Sequence, residues 1–593
     1  MIGFEKIISD FPRFEKTIYN YVKDRIDAYY DHRCYTVLKN RCKRLDNSID
    51  LRIGSDKNQW NSKIAIPYGH ESYLMTRATI TQSFNADPLI SLEPIGETDW
   101  VNAQNAQDLV NQNLKSTRFR DTAFKLIIKR AARYGSCPVI SSFEHRPATF
   151  KKTVNGQFGY EQQMVTETRQ NVINRAIHPL NYFQNPDVAD YEDVDYQGWI
   201  DRITVAKLMG TAKTMPDLYI KKNLEVVIKE AIDSVKQSEH YHNEDGKERD
   251  DFNAHYVDVT KLYTMLNFEG NEEDETLYYI EVVGDKIIRI QDNPNDYNIT
   301  GISIFNLDKR SEYWWGNTPI EKTFPMENYA NILLSMTADN IFKSTQNLIF
   351  YPKGMVDIAS INDRHKNGGF IPIDPEVLNN YKNPFMPWQR QEISTNAVSY
   401  MMGEMKEALQ RTQTKPDTQR IGVSGGPKND TATAYQGMQA DAGMLQYDYL
   451  SEFATGVKSV GRNTLIMMQQ RSNDRLRLRP NPKEPARIIE KHQILGDFAY
   501  QAESALSKNT QFELMKYQNA LTWVMNMVGT GNPAFQRVNV DKLFRATLKK
   551  FDLDVDTDEI YPEQPQGMEA PMQGQLPAPV AQVNVPMQLQ GAA

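Results

Sequence analysis

Over the first 45 positions apolar residues recur three and four apart (Phe4, Ile7, Ile8, Phe11, Phe14, Ile18, Tyr21), with charged residues between them. That spacing puts them on one stripe of an amphipathic helix, which Pro12 is expected to kink or divide because it has no amide to bond back along the helix. Further on, LISLEP (Leu89 to Pro94) alternates like a strand, and a helical pattern follows from Asp99 to Tyr134. Gly135 should end that helix, with Arg130 and Arg133 in its last turn. Cys137 then opens CPVISSF, which reads as a buried strand.

From Phe150 to Asp201 the residues favour sheet, and Asn155-Gly156 is the strongest local hairpin signal. A second hairpin is expected in YYIEVVGDKIIRI, turning at Gly284-Asp285. A charged helical stretch, roughly Val205 to Asp251, lies between them.

After residue 316 the pattern changes. GNTPIEK opens a helix reaching about Gln346, with Thr318 as N-cap, Pro319 in the first helical position and Pro325 as a kink one turn in. A module punctuated by proline and glycine runs from Leu348 to about Glu392, and a second helix from Thr395 to Gln413. The glycine-rich loop RIGVSGGPKNDTATA, starting at Arg420, leads into a third helix, Thr431 to Arg471. Met438, Ala442, Leu445, Tyr449, Phe453, Val457 and Val460 form one stripe on it. At ~1.5 Å per residue this helix spans about 60 Å, and Gly437, Gly443, Gly456 and Gly461 are candidate kinks. RLRLRPNPK (Arg475 to Lys483) alternates like a strand, and two or three further helices are expected up to about Phe551. The tail from Glu563 is Gln-, Pro- and Ala-rich with almost no charge, a composition that buries no core and predicts disorder.

Composition bounds the function. The 593 residues, 40% hydrophobic and 10% aromatic, exclude global disorder and leave room for roughly two to four domains. A net charge of −8 disfavours tight, general DNA binding, which needs surplus positive charge to displace counterions. Cys34, Cys42 and Cys137 are odd in number, and their spacing fits neither a disulfide framework nor a zinc knuckle; buried reduced thiols are expected. No signal-peptide core or membrane-length apolar run occurs, which points to cytoplasm-like surroundings.

The glycine-rich loop tests the strongest chemical alternative. A phosphate-binding loop needs G-x-x-x-x-G-K-[ST] so that backbone amides wrap the phosphates, the lysine reaches the last of them and a hydroxyl takes the magnesium. Here Pro427 separates Gly426 from Lys428, Asn429 follows the lysine, and the loop joins two helices rather than following a strand. H-E-x-x-H and G-x-G-x-x-G after a strand are missing from the sequence. His240 and His242, two apart in a hydrophilic run, read as a solvated loop, as do Glu192, Asp193 and Asp195. DLDVDTDE, Asp552 to Glu559, starts like a calcium loop but carries Thr557 where the sharp turn needs glycine. No catalytic, cofactor or metal residue is assigned, which favours a structural or interaction protein over an enzyme.

The order of parts from Gly316 to Arg471 resembles the portal proteins, or head-to-tail connectors, of tailed bacteriophages, of the short-tailed kind. The likeness rests on YWWGNTPIE opening a helix with YANILLSMTADN, a small module with YPKG and GGFIPI, a helix ending in Gln413, and IGVSGG leading into NDTATAYQ. Upstream, ARYGSCPVI and IHPLNYFQNPD are similar to the portal wing. Trp315 stands where tyrosine is common in the family's helix-opening pattern.

The resemblance implies an α+β, mainly α fold assembled as a ring of about twelve copies around a channel at one capsid vertex. Residues 1–316 would be the wing, helices plus a β-rich SH3-like part; 317–347 and 393–413 the stem helices; and 348–392 the clip. Then would come the tunnel loop 414–430, the long kinked channel helix 431–471, the crown 472–560 and the disordered tail 561–593. Lys353, Arg364, Lys366 and Trp388 are the implied clip residues for docking the terminase motor and later the tail adaptor. Lys415, Arg420, Gly425, Gly426 and Lys428 are the implied tunnel-loop residues. Expected partners are the chain itself, double-stranded DNA in transit, terminase, tail adaptor, and major capsid with scaffold or ejection proteins, but no membrane. The expected locations are the virion, and the host cytoplasm during assembly.

Physical argument agrees with that implication: a channel that passes duplex DNA both ways cannot hold it strongly, since each neutralised phosphate adds drag. Lys415, Arg420 and Lys428 against Asp417 and Asp430 give the loop a net +1, repeated by ring symmetry, although solvated loop charges explain each residue taken singly. Gly422, Gly425, Gly426 and Pro427 let the loop turn sharply. The alternative is another capsid-associated structural protein, a coat-like or tail-adaptor component; a nucleotide-driven packaging motor is more distant because the phosphate loop is missing.

Overall fold

The computed structural model describes residues 4–52, 62–85, 87–96, 99–156, 159–233, 255–266, 276–345, 348–352, 370–373, 386–388, 395–412, 432–478 and 487–502. The chain is mixed α+β, and its described residues all fall in one compact unit.

Two helices lead: α1 (Phe4–Asp31) and α2 (Arg33–Ile49). The expected division at Pro12 does not occur, since proline's fixed φ suits a helix and only one backbone bond is lost. The break falls at His32, whose ring accepts a hydrogen bond from the Cys34 amide (3.2 Å) and so caps α2. Then come α3 (Tyr68–Ser83), β1 (Ile90–Pro94) and α4 (Trp100–Ser116). The helix expected to run unbroken to Tyr134 stops at Ser116 and resumes as α5 (Lys125–Tyr134). The Thr117 hydroxyl donates to the Asn113 carbonyl (2.9 Å) and Arg118 takes φ 52°, so a wide-turn segment, Arg120–Phe124, bridges the two. This break lets Phe119 and Phe124 pack 5.4 Å apart in the core around Phe453. Gly135, at φ 79°, ends α5 as expected.

The strands that follow form two antiparallel sheets. β2 (Ser136–Gly156) and β3 (Gly159–Ala176) make the first hairpin, pairing Asn155 with Tyr160 and Gly156 with Gly159, so its tip lies two residues beyond the expected Asn-Gly. The five-stranded sheet runs in order β4 (Tyr182–Gln184), β5 (Tyr196–Thr204), β6 (Tyr256–Leu266), β7 (Thr276–Val283) and β8 (Lys286–Asp292). Its last turn uses Gly284 at φ 57°, as read from the sequence. One side of this sheet packs on α1 and α2, and Val257, Val259 and Ile288 pack with α6 (Val205–Thr214) and α7 (Lys221–Asp233). β9 (Ile302–Asn306) adds to the free side of β2.

Next come a tight 3-10 turn, Pro319–Thr323, and α8 (Phe324–Thr345), so the helix type changes at Phe324, one residue before the proline at which a kink was expected. The module that follows retains three short strands, β10 (Leu348–Pro352), β11 (Phe370–Ile373) and β12 (Met386–Trp388), with β10 central, parallel to β11 and antiparallel to β12. Helices α9 (Thr395–Thr412) and α10 (Ala432–Arg471) follow at nearly the expected bounds.

α10 runs as one element of 40 residues. Gly456 and Gly461 are points of close packing: a Cβ at 456 would lie 2.7 Å from the Phe305 ring, and one at 461 would lie 2.9 Å from Ile90. β13 (Arg475–Leu478) forms as expected, but the next described segments are β14 (Arg487–Glu490), a 3-10 turn (Lys491–Ile494) and β15 (Phe498–Ala502), not helices. β15 is held by pairing with β1, some 400 positions earlier, which no local pattern encodes. Residues 503–560 and the tail lie outside the described residues.

Candidate functional site

Among the implied site residues, Lys353, Arg364, Lys366, Lys415, Arg420, Gly425, Gly426 and Lys428 lie outside the described residues, as do His240, His242 and Asp552–Glu559. Trp388 ends β12, opposite Leu348 of β10. What the structure does place is the frame that carries these segments.

That frame starts from YWWGNTPIE. Tyr313 and Trp315 stack 4.3 Å apart, Trp315 is fully buried, and the Trp314 indole donates to the Tyr29 hydroxyl (3.2 Å). The tryptophan that departs from the family pattern is thus a core anchor. Gly316 follows because no side chain fits: a Cβ there would lie 2.6 Å from the Asp308 carbonyl. Its amide donates to the Ser136 hydroxyl (2.6 Å) and its carbonyl accepts from the Arg41 guanidinium (2.8 Å). Arg41 also pairs with Glu321, and Arg310 reaches the other Glu321 oxygen at 3.5 Å. Thr318 donates to the Ala132 carbonyl (2.8 Å), tying the start of the 3-10 turn to the end of α5. Sequence reading found Thr318 and Pro319 but missed Glu321, whose place three residues after Thr318 is a capping-box signal. Nothing local pairs it with Arg41, 280 positions away.

Below this junction α8 is inverted. Apart from Ala330 its buried positions are polar (Glu327, Ser335, Thr337, Asp339), while Tyr329 is 53% exposed and Ile332 is exposed. The polar side is held by an extended strap: the amides of Ser62, Ile64 and Ile66 donate to Asp339 (2.8 Å), Ser335 (3.3 Å) and Asn331 (2.8 Å). The fit is geometric, since two residues of extended chain advance about 6.6 Å and four of helix about 6 Å. Ser48 donates to Glu327 (2.6 Å), and burial raises that carboxyl above its ordinary value, with the hydrogen bond opposing. α9 packs beside α8 through Ala330, Met402, Met405 and Tyr68, leaving Tyr400 (70% exposed) and Met401 outward.

The other candidate groups read from the sequence have structural roles. All three cysteines are free and buried, and burial pushes the Cys34 thiol up to about 11 and the Cys42 thiol up to about 12. Asp195 pairs with Arg25 (3.0 Å), and Glu192 lies 3.8 Å from Arg462. Among the described residues no group of His, Cys, Asp and Glu could hold a metal ion, and no helix is long and apolar enough to cross a membrane.

No curated protein matches the chain. A family model described as phage SU10 portal protein matches residues 137–592, more than three quarters of the sequence and all of it from β2 onward. By that match the chain belongs to the phage SU10 portal protein family.

Proposed function

We propose that this chain is one protomer of a ring-shaped channel at a single capsid vertex of a short-tailed phage, through which double-stranded DNA is packaged and ejected. In this reading residues 1–316 are the wing, α8 and α9 the stem, 348–392 the clip, 414–430 the tunnel loop, α10 the channel helix and 472–560 the crown. The clip, with Lys353, Arg364, Lys366 and Trp388, docks the terminase and then the tail adaptor. The ring has about twelve copies and hydrolyses nothing itself.

The observation that carries the reading, beside family membership, is the inverted α8. A helix that buries its polar side and exposes Tyr329 and Ile332, packed beside α9 with its exposed Tyr400, leaves apolar surface that the described residues do not cover. Neighbouring copies of the same helices would cover it, and ring closure repeats the contact identically around the axis.

Electron microscopy of the purified protein tests this. Rings with a central hole of about duplex width are expected, and Ile332→Asp with Tyr400→Asp should abolish them while each protomer stays folded. A monomeric wild-type protein with ATPase activity would overturn the reading. For the loop, Arg420→Ala with Lys428→Ala should leave rings intact and alter packaging or DNA retention; loss of rings would make the loop an interface instead.

A further inference from the structure

A cavity of about 770 Å³ opens between the β2–β3 hairpin, β5, α6, β8 and the end of α10. It shares no residue with α8 or α9 and does not depend on the channel reading. Five cationic side chains line it against three carboxylates, an unusual excess in a chain of net charge −8.

The carboxylates are largely engaged already. Asp201 receives Arg175 (2.9 Å) and Lys261 (3.3 Å), and Glu281 accepts from Tyr279 (2.7 Å), Tyr219 (3.2 Å) and Arg289 (3.3 Å). Two cations remain without an ion pair among the described residues, Lys207 on α6 and Arg471 at the end of α10. Glu144, the third carboxylate, lies on the Lys207 side, beyond ion-pair distance. Arg471 donates to the Pro294 carbonyl and to Asn295 (3.3 Å), which satisfies part of its fork and none of its charge.

We propose that this cavity binds a small pyrophosphate-bearing anion, free or as part of a nucleotide. What the cavity leaves unmet is donors and positive charge, and a pyrophosphate is all acceptor and carries several negative charges. Arg471 offers a planar fork suited to two phosphate oxygens, and Lys207 a point charge for a second phosphate. The volume lies within the usual range for small-ligand sites and is too small for a duplex. Crowding of like charge agrees: burial and then Arg175 lower the Lys207 ammonium below its ordinary value, and burial, with Arg289 adding, lowers Arg471.

Calorimetric titration of the full-length protein at fixed ionic strength, with sodium pyrophosphate, ATP, AMP and sodium sulfate, tests the assignment. One pyrophosphate per protomer is expected with Kd below about 1 mM. Lys207→Gln, on the exposed side of α6, should weaken it about tenfold with an unchanged melting temperature, and Arg471→Lys should weaken it as well. Equal affinity for pyrophosphate and ATP assigns the site to the diphosphate alone; tighter ATP binding assigns it to a nucleotide. No heat with pyrophosphate, equal binding of sulfate, or pyrophosphate binding indifferent to Lys207→Gln overturns the proposal.

Discussion

α8 and α10 are both long helices of one chain, and they are built in opposite senses. α10 turns Leu450, Phe453, Val457 and Val460 inward, where Phe453 lies 5.0 Å from Phe305 and 5.2 Å from Phe84. α8 turns Glu327, Ser335 and Asp339 inward and leaves Tyr329 and Ile332 outside. The first helix stabilises the protomer by removing apolar area from water, the main driving force of folding. The second is attached by hydrogen bonds to a strap, each worth only about 1 kcal/mol net, and leaves apolar area exposed. Rigid body and proposed assembly surface are therefore separable by substitution.

The largest effect should come where the two regimes meet. Arg41→Met removes one partner of a buried pair and leaves Glu321 facing only Arg310, a change that typically costs about 3–5 kcal/mol. Denaturant unfolding should show that loss; a change below about 1 kcal/mol would mean that the junction is not what holds α8 to the body. Next, Gly456→Ala forces a Cβ to 2.7 Å from the Phe305 ring and 3.0 Å from its Cα, and should cost about 1–3 kcal/mol by overpacking. Its counterpart in α9, Gly403→Ala, meets nothing within 4 Å and should instead stabilise by about 0.5–1 kcal/mol through helix propensity. Thermal unfolding of the two variants side by side sets the packed helix against the open one, and shifts of the same sign would break the contrast.

The smallest effect is a pH slope. Folded Glu327 holds its proton to higher pH than the unfolded chain does, because burial outweighs the Ser48 hydrogen bond. Its stabilising contribution is complete below the ordinary glutamate value and is lost as pH rises through the raised one. Glu327→Gln should flatten stability across that window, and a slope identical to wild type would place the titration elsewhere.

Much of the helical framework was legible because a helix and a hairpin are written in local pattern. The Thr318-Pro319 start, the bounds of α9 and α10, the Gly135 stop and the Gly284 turn all follow from residues within a few positions of one another. Where the reading missed, the deciding partner was remote. The α4–α5 break is stabilised by Phe124 packing on Phe119 and Phe453, and β15 by β1. Of the implied site only Trp388 is placed, and the junction residues Arg41 and Ser136 carried no signal in their own neighbourhoods.

The sequence by itself determined which segments are helix, hairpin or turn, and, through the order of its parts, the family. Periodicity and capping act over one or two turns, so they survive reading along the chain. Only the tertiary structure decided which side of α8 is inside. α8 carries polar and apolar residues on either side, and which one is buried depends on a strap 270 positions away that supplies backbone donors rather than apolar surface. It also decided that Gly456 is a point of close contact, because Phe305, brought there by β9, fills the space a side chain would need.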